Sequence, residues 1–209
     1  MESLIIENQY FGTVNYYKML FNFSYIEIDQ YESFQKMSFR NRCIIPGANG
    51  LIQLSVPIEN GRNQHTPIRE VKIAYKENWV LQHCRSMEAC FNRTPFFEYY
   101  RDELFALLEQ KPVYLFDLNW SILHWVIQKL KAELKLNLSQ KQDEKPGLIV
   151  NDLRNTYLPK NYDQIDSPIK YTQVFEDRIG FKPNLSIIDL LCCTGPAALS
   201  YLKSNDSLK

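Results

Sequence analysis

The chain has 209 residues, with 24 Lys plus Arg balanced by 24 Asp plus Glu, so no global field draws it to nucleic acid or to an acidic membrane surface. A hydrophobic fraction of 45% and an aromatic fraction of 13% fit a folded domain with a ring-rich core, and no apolar run reaches the ~20 residues of a membrane span. The opening residues lack the basic and apolar blocks of a signal peptide, and the five cysteines show no zinc spacing; we expect a cytoplasmic chain with reduced thiols and no metal.

Residues 4–7 are a short apolar run, residues 13–23 place Val14, Tyr17, Leu20 and Phe21 at helical spacing behind Thr13 as N-cap, and residues 25–29 alternate apolar and acidic side chains. This is a β-α-β opening, with parallel strands if the crossover is right-handed. Ligands of open α/β sheets sit at the carboxyl ends of strands, which brings forward Asn8, Tyr10 and Asp29 and the loop that follows Asp29. That loop carries Lys36, Arg40, Asn41 and Arg42, a dense set of donors suited to carboxylate or phosphate oxygens. Residues 41–46 and 51–56 flank Gly47-Ala48-Asn49-Gly50 and predict a β-hairpin whose turn needs positive φ. On an extended strand Arg40 and Arg42 would face the same side. The plainer reading of these arginines is a solvated or salt-bridged strand edge.

Residues 58–67 are polar and read as a surface loop, and residues 68–73 alternate as a further strand. Residues 77–92 predict a helix with His83 one turn after Trp79, and Thr94-Pro95 predicts the start of a helix over 96–110. A third helix is expected over 119–136, where Ile122, Leu123, Val126, Ile127, Leu130 and Leu134 recur on one face. Residues 139–147 are charged and apolar-poor, a surface loop or linker; 148–150 read as a strand and 155–167 as irregular. Near the end, Asn184 or Ser186 caps a short helix that Gly195-Pro196 stops. The pattern is that of a single α/β or α+β domain over 1–209, with a mixed sheet, a hairpin and several packed helices.

No GxGxxG, GxxxxGK[ST] or GxSxG pattern occurs and only seven glycines are present, so no cofactor is expected and phosphate binding would rest on side chains. His83 is the candidate general base and Asp29 a candidate acid or base. The plainer alternatives are a histidine at the edge of the core beside Trp79, and an aspartate that caps or pairs.

The series from Gln9 to Pro57 resembles the WbqC-like family, whose members occur in bacterial surface-polysaccharide gene clusters. Tyr10, Phe11 and Tyr16-Tyr17 correspond to its aromatic opening, with Gly12 where the family has a loop proline; Lys36, Arg40-Asn41-Arg42, Gly50 and Leu54 to Pro57 match its next motifs. Trp79, His83, Arg85-Ser86, residues 94–97, residues 184–191 and Gly195-Pro196 continue the likeness in order. The resemblance implies a role in polysaccharide or O-antigen assembly, by acyl or aminoacyl transfer to an amino sugar. The site would be a basic, aromatic anion pocket holding a nucleotide-sugar on Asn8, Tyr10, Lys36, Arg40, Asn41, Arg42 and Trp79. The alternative is a non-catalytic module that binds an anionic glycan precursor or a partner enzyme of glycan assembly.

Overall fold

The structure is a computed structural model that describes residues 2–59, 66–140, 149–165 and 167–204. It begins with strand β1, Glu2–Ile6, helix α1, Val14–Leu20, and strand β2, Tyr25–Ile28. Leu4 pairs with Ile26 and Ile6 with Ile28 in a parallel register, and all four side chains are buried because alternate positions of each strand face the core. Thr13 caps α1 by accepting the Tyr16 N–H at 3.3 Å.

The hairpin follows as β3, Arg42–Gly47, and β4, Gly50–Ser55, paired antiparallel around Ala48-Asn49. Of the turn residues only Gly50 has a positive φ, 136°, which explains why glycine stands there. Residues 68–73 are not a strand. Ile68, Val71 and Ile73 all bury their side chains by way of a 3₁₀ turn at Ile68–Glu70, and Ile73 and Lys72 then touch Ile58 and Tyr114 through isolated bridges.

Helices α2, Trp79–Phe91, and α3, Phe97–Glu109, come next. Thr94 does not cap α3; its hydroxyl donates to the Phe91 carbonyl at 2.6 Å and closes the end of α2. Helix α4, Leu115–Lys129, starts and ends earlier than expected: Lys131 adopts φ 52°, and the apolar residues beyond it form strand β5, Leu136–Leu138. The helical pattern loses there to pairing with β2. Residues 141–147 of the expected linker, like His65, lie outside the described residues.

Strand β6, Ile149–Asp152, completes a four-stranded parallel sheet in the order β5-β2-β1-β6, separate from the hairpin. The fold is α/β. The chain winds from β1 outward to β2 and β5, then returns to the other side of β1, so the winding reverses between β1 and β6. After α5, Glu176–Ile179, comes α6, Ile187–Thr194, capped by Ser186 and buried along most of its length, and α7, Ala198–Lys203, follows. The segment before α6 fastens the β1–α1 loop: Ser186 Oγ donates to the Phe11 carbonyl at 2.8 Å and Ile187 N to the Gly12 carbonyl at 2.9 Å. A Cβ at position 12 would lie 2.9 Å from the Tyr16 ring, so glycine allows this close packing, and hydrogen bonds replace the stiffness of a proline.

Candidate functional site

Four strand ends meet at the carboxyl edge of the sheet. After β2, Asp29 Oδ1 accepts the backbone N–H groups of Tyr31 and Glu32 at 2.9 and 3.2 Å and the Ser139 hydroxyl at 3.1 Å. Its Oδ2 accepts Arg154 Nη1 at 2.5 Å. Arg154, just past β6, also gives Nε and Nη2 to the two oxygens of Asp152 at 2.9 and 2.5 Å, which holds the Asp152 carboxyl below its ordinary pKa. After β1, Glu7 is buried and accepts Gln9 Nε2 and the Asn155 backbone N–H at 2.8 and 2.9 Å. Between these ends lies an open cleft of about 480 Å³ lined by Glu32, Ser33, Gln35, Asp152, Arg154 and Asn155. It sits where the winding of the sheet reverses, the position at which open α/β sheets hold ligands.

Arg40 forms the floor behind this cleft. It is fully buried and gives Nε and Nη2 to the two oxygens of Glu32, at 2.7 and 2.5 Å. The pair holds the guanidinium charged against its burial; burial pushes the Glu32 carboxyl up, and the bonds from Arg40 oppose that rise. Asn41 is also buried and donates to the Val56 carbonyl at 2.9 Å, fastening the base of the hairpin. Arg42 is half-buried, with Nη1 3.5 Å from the Met37 sulfur, while Lys36 is exposed. Arg40 precedes the hairpin strand instead of lying on it, so the expected face shared with Arg42 does not form: one guanidinium is sealed on Glu32 and the other sits at the rim beside Met37.

Tyr10, Trp79 and His83 form a cluster within the core. Tyr10 Oη lies 2.8 Å from His83 Nδ1, the His83 ring hydrogen-bonds the Ser55 backbone, and Trp79 packs edge-on against His83 with centroids 5.0 Å apart. Burial pushes the His83 pKa down to about 4, so the ring is neutral at physiological pH and links α2 to the β1–α1 loop and to β4. At 4% exposure it does not face the cleft as an open base.

Asn8 and Asp29 are therefore the expected site residues that the structure brings to the carboxyl edge, and Arg40 joins them from behind. Sequence reasoning missed Glu7, Glu32, Asp152, Arg154 and Asn155. For Asp152, Arg154 and Asn155 the signal was the run Asp152-Leu153-Arg154-Asn155 after a third apolar strand, which the carboxyl-end rule would have flagged alongside Asn8 and Asp29. Among the described residues no group of three His, Cys, Asp or Glu side chains is placed to hold a metal ion, and no helix is long and apolar enough to cross a membrane.

No curated protein and no solved structure matches the chain. The WbqC-like protein family does match, over residues 8–156, which takes in the β1–α1 loop, the hairpin, α2 and the cleft; the likeness at 184–196 lies beyond it. With more than half of its length matched, the chain belongs to the WbqC-like protein family.

Proposed function

We propose that the chain is a transferase of bacterial surface-polysaccharide assembly, of the O-antigen type, that acts on an activated amino sugar or on the acyl or aminoacyl donor that modifies it. The cleft at the reversal of the sheet carries this reading. Its wall combines Asp152 and Glu32 with Gln35, Asn155 and Arg154, a mixture of acceptors and donors that suits a polyhydroxylated, amine-bearing ring. In this reading Lys36, exposed on the adjoining loop, meets the anionic part of an activated sugar. In this reading Asp29 orients Arg154, since both its oxygens already accept hydrogen bonds. Glu32 stays ionised on Arg40 and shapes the wall; the attacking amine bonds to the acyl carbon as the bond from that carbon to the donor's leaving group breaks, and the amine's proton passes to solvent in the open cleft.

The test is a thermal-shift screen against nucleotide-sugars, amino-sugar nucleotides and acyl and aminoacyl donors, followed by mass spectrometry of the products. A ligand at ~100 times its Kd adds about 2.7 kcal/mol, a shift of several degrees for a chain of this size. Arg154→Ala and Gln35→Ala should lose both the shift and the product while remaining folded. No shift from any of these ligands would overturn the reading.

A second reading, a binding module without turnover, is favoured by the engagement of Glu32 by Arg40 and of Asp29 by Arg154. Tight binding with no product from any donor would establish it.

A further inference from the structure

The hairpin has one strand edge that no element among the described residues pairs with. Gly47 and Gly50 close a two-residue turn and face each other as a hydrogen-bonded pair. It follows that Ile45–Ile52 and Cys43–Leu54 bond inward, while Ile44, Pro46, Leu51 and Gln53 turn their backbone groups outward. The bonds beyond the ladder agree: Val56 N–H reaches the Asn41 carbonyl at 2.8 Å on the inside, and the Ile44 carbonyl accepts Ser186 N–H at 2.9 Å on the outside. The outer edge of β3 is thus closed, by Ser186 and by Pro46, which has no N–H to offer. On β4 the Ser55 backbone is taken by the His83 ring, but the N–H and C=O groups of Leu51 and Gln53 meet no group of the chain.

This edge also lacks protection. Sheets keep an open edge from pairing with other chains by placing charge or proline on it. At the edges of the parallel sheet, β6 ends in Asp152 and β5 follows the exposed Lys135. Strand β4 has neither device: residues 43–58 hold no charged side chain, and Leu51 and Ile52 are 41% and 37% exposed. The open backbone groups lie symmetrically on either side of Ile52.

We propose that β4 is the interface of a homodimer: it pairs antiparallel with β4 of a second copy about a two-fold axis at Ile52 and joins the two hairpins into one four-stranded sheet. The symmetry of the edge selects a copy of this chain. Leu51 of one copy faces Gln53 of the other, and the reverse, so every open N–H and C=O of both residues is met on both chains. The two Ile52 residues form the central non-hydrogen-bonded pair, with Cα atoms about 4.5 Å apart. Charge does not oppose the approach, because the strand is neutral and the chain has zero formal net charge. One shared strand edge is a small contact, so the dimer dissociates on dilution. The pairing lies on the hairpin and does not depend on what the cleft binds.

The experiment is sedimentation velocity of the full chain over a wide range of concentration, on the wild type, Ile52→Lys, Ile52→Glu and an equimolar mixture of the two variants. The wild type should pass from monomer to dimer as concentration rises. Each variant alone should raise the dimer dissociation constant at least about ten-fold, because like charges meet at the axis, and the mixture should recover the dimer by pairing opposite charges. Position 52 is already exposed, so both variants should keep the far-UV circular dichroism of the wild type. Under mild oxidant Ile52→Cys should form a disulfide-linked dimer and Gln53→Cys should not, because its two copies lie two residues out of register.

A wild type that stays monomeric at every concentration, whether or not it takes up a strand of another protein at this edge, would overturn the inference. So would a dimer that both charged variants retain, which would lie on another surface, or a mixture no more associated than its components. A disulfide from Gln53→Cys and none from Ile52→Cys would overturn it as well, by placing the axis elsewhere.

Discussion

Arg40 has no exposed surface and spends its guanidinium on both oxygens of Glu32, whereas Arg154 keeps 33% of its side chain in solvent and divides its donors between Asp29 and Asp152. Both pair with carboxylates at the same edge of the sheet, Arg40 with one and Arg154 with two, yet solvent separates their roles. A buried pair fixes its partners at a high desolvation cost and cannot be opened without leaving a bare charge. A half-exposed pair is held weakly enough for a ligand to compete for its hydrogen bonds. The difference teaches that the basic run before the hairpin is scaffold in its first arginine, while the donor that faces the cleft comes from the far strand.

The sharpest way to break this comparison is Arg40→Ala, which strands Glu32 in the protein. The expected loss is about 3–5 kcal/mol in urea denaturation, and Arg40→Met combined with Glu32→Leu should recover much of it. A loss below about 1 kcal/mol would mean that water reaches the pair and that the two arginines are alike.

The next effect is in pH. His83 is pushed from 6.5 to about 4, so the unfolded chain binds its proton first, and stability falls as pH drops from 6.5 through 4. Asp189, buried on α6 with the Tyr171 hydroxyl at 2.6 Å, is pushed by burial from 3.8 to about 6, and its contribution is lost as pH rises through 6. Each term is worth roughly 3 kcal/mol at most, with opposite signs in one window, so the wild type should show a shallow profile between pH 4 and 6. Asp189→Asn should steepen the acid loss and His83→Gln should reverse the slope; identical slopes in the three proteins would remove both terms. Tyr10→Phe, which leaves His83 Nδ1 without its partner, should cost about 1–3 kcal/mol and confirm the core role of that cluster.

What could be read from the chain follows the range of the interactions involved. The parallel opening, the hairpin and the Ser186 cap rest on contacts or patterns a few residues long, and these were recognisable. The strand Leu136–Leu138 was not, because its apolar residues continue a helical pattern and only pairing with β2 selects the strand. The position of Asn8 and Asp29 at the carboxyl edge of the sheet was legible because each follows a recognisable strand. The burial of Arg40 was hidden because a charged run reads as exposed until its partner eight residues back, Glu32, is known. Arg154 was further out of reach, since it meets Asp29 across 125 residues of chain.

The smallest expected effect on stability is therefore the most informative about function. Arg154→Ala removes an ion pair from each of two carboxylates, but Asp152 is exposed and Asp29 keeps the Tyr31 and Glu32 amides and the Ser139 hydroxyl. The loss should stay below about 1 kcal/mol and shrink in high salt. Against that small loss, the ligand-induced thermal shift should disappear, because Arg154 is the guanidinium that lines the cleft. A variant that melts several degrees lower and still binds would turn the comparison round: Arg154 would then be the second scaffold arginine, and the donor for the ligand would have to be Lys36 or Arg42 at the hairpin side.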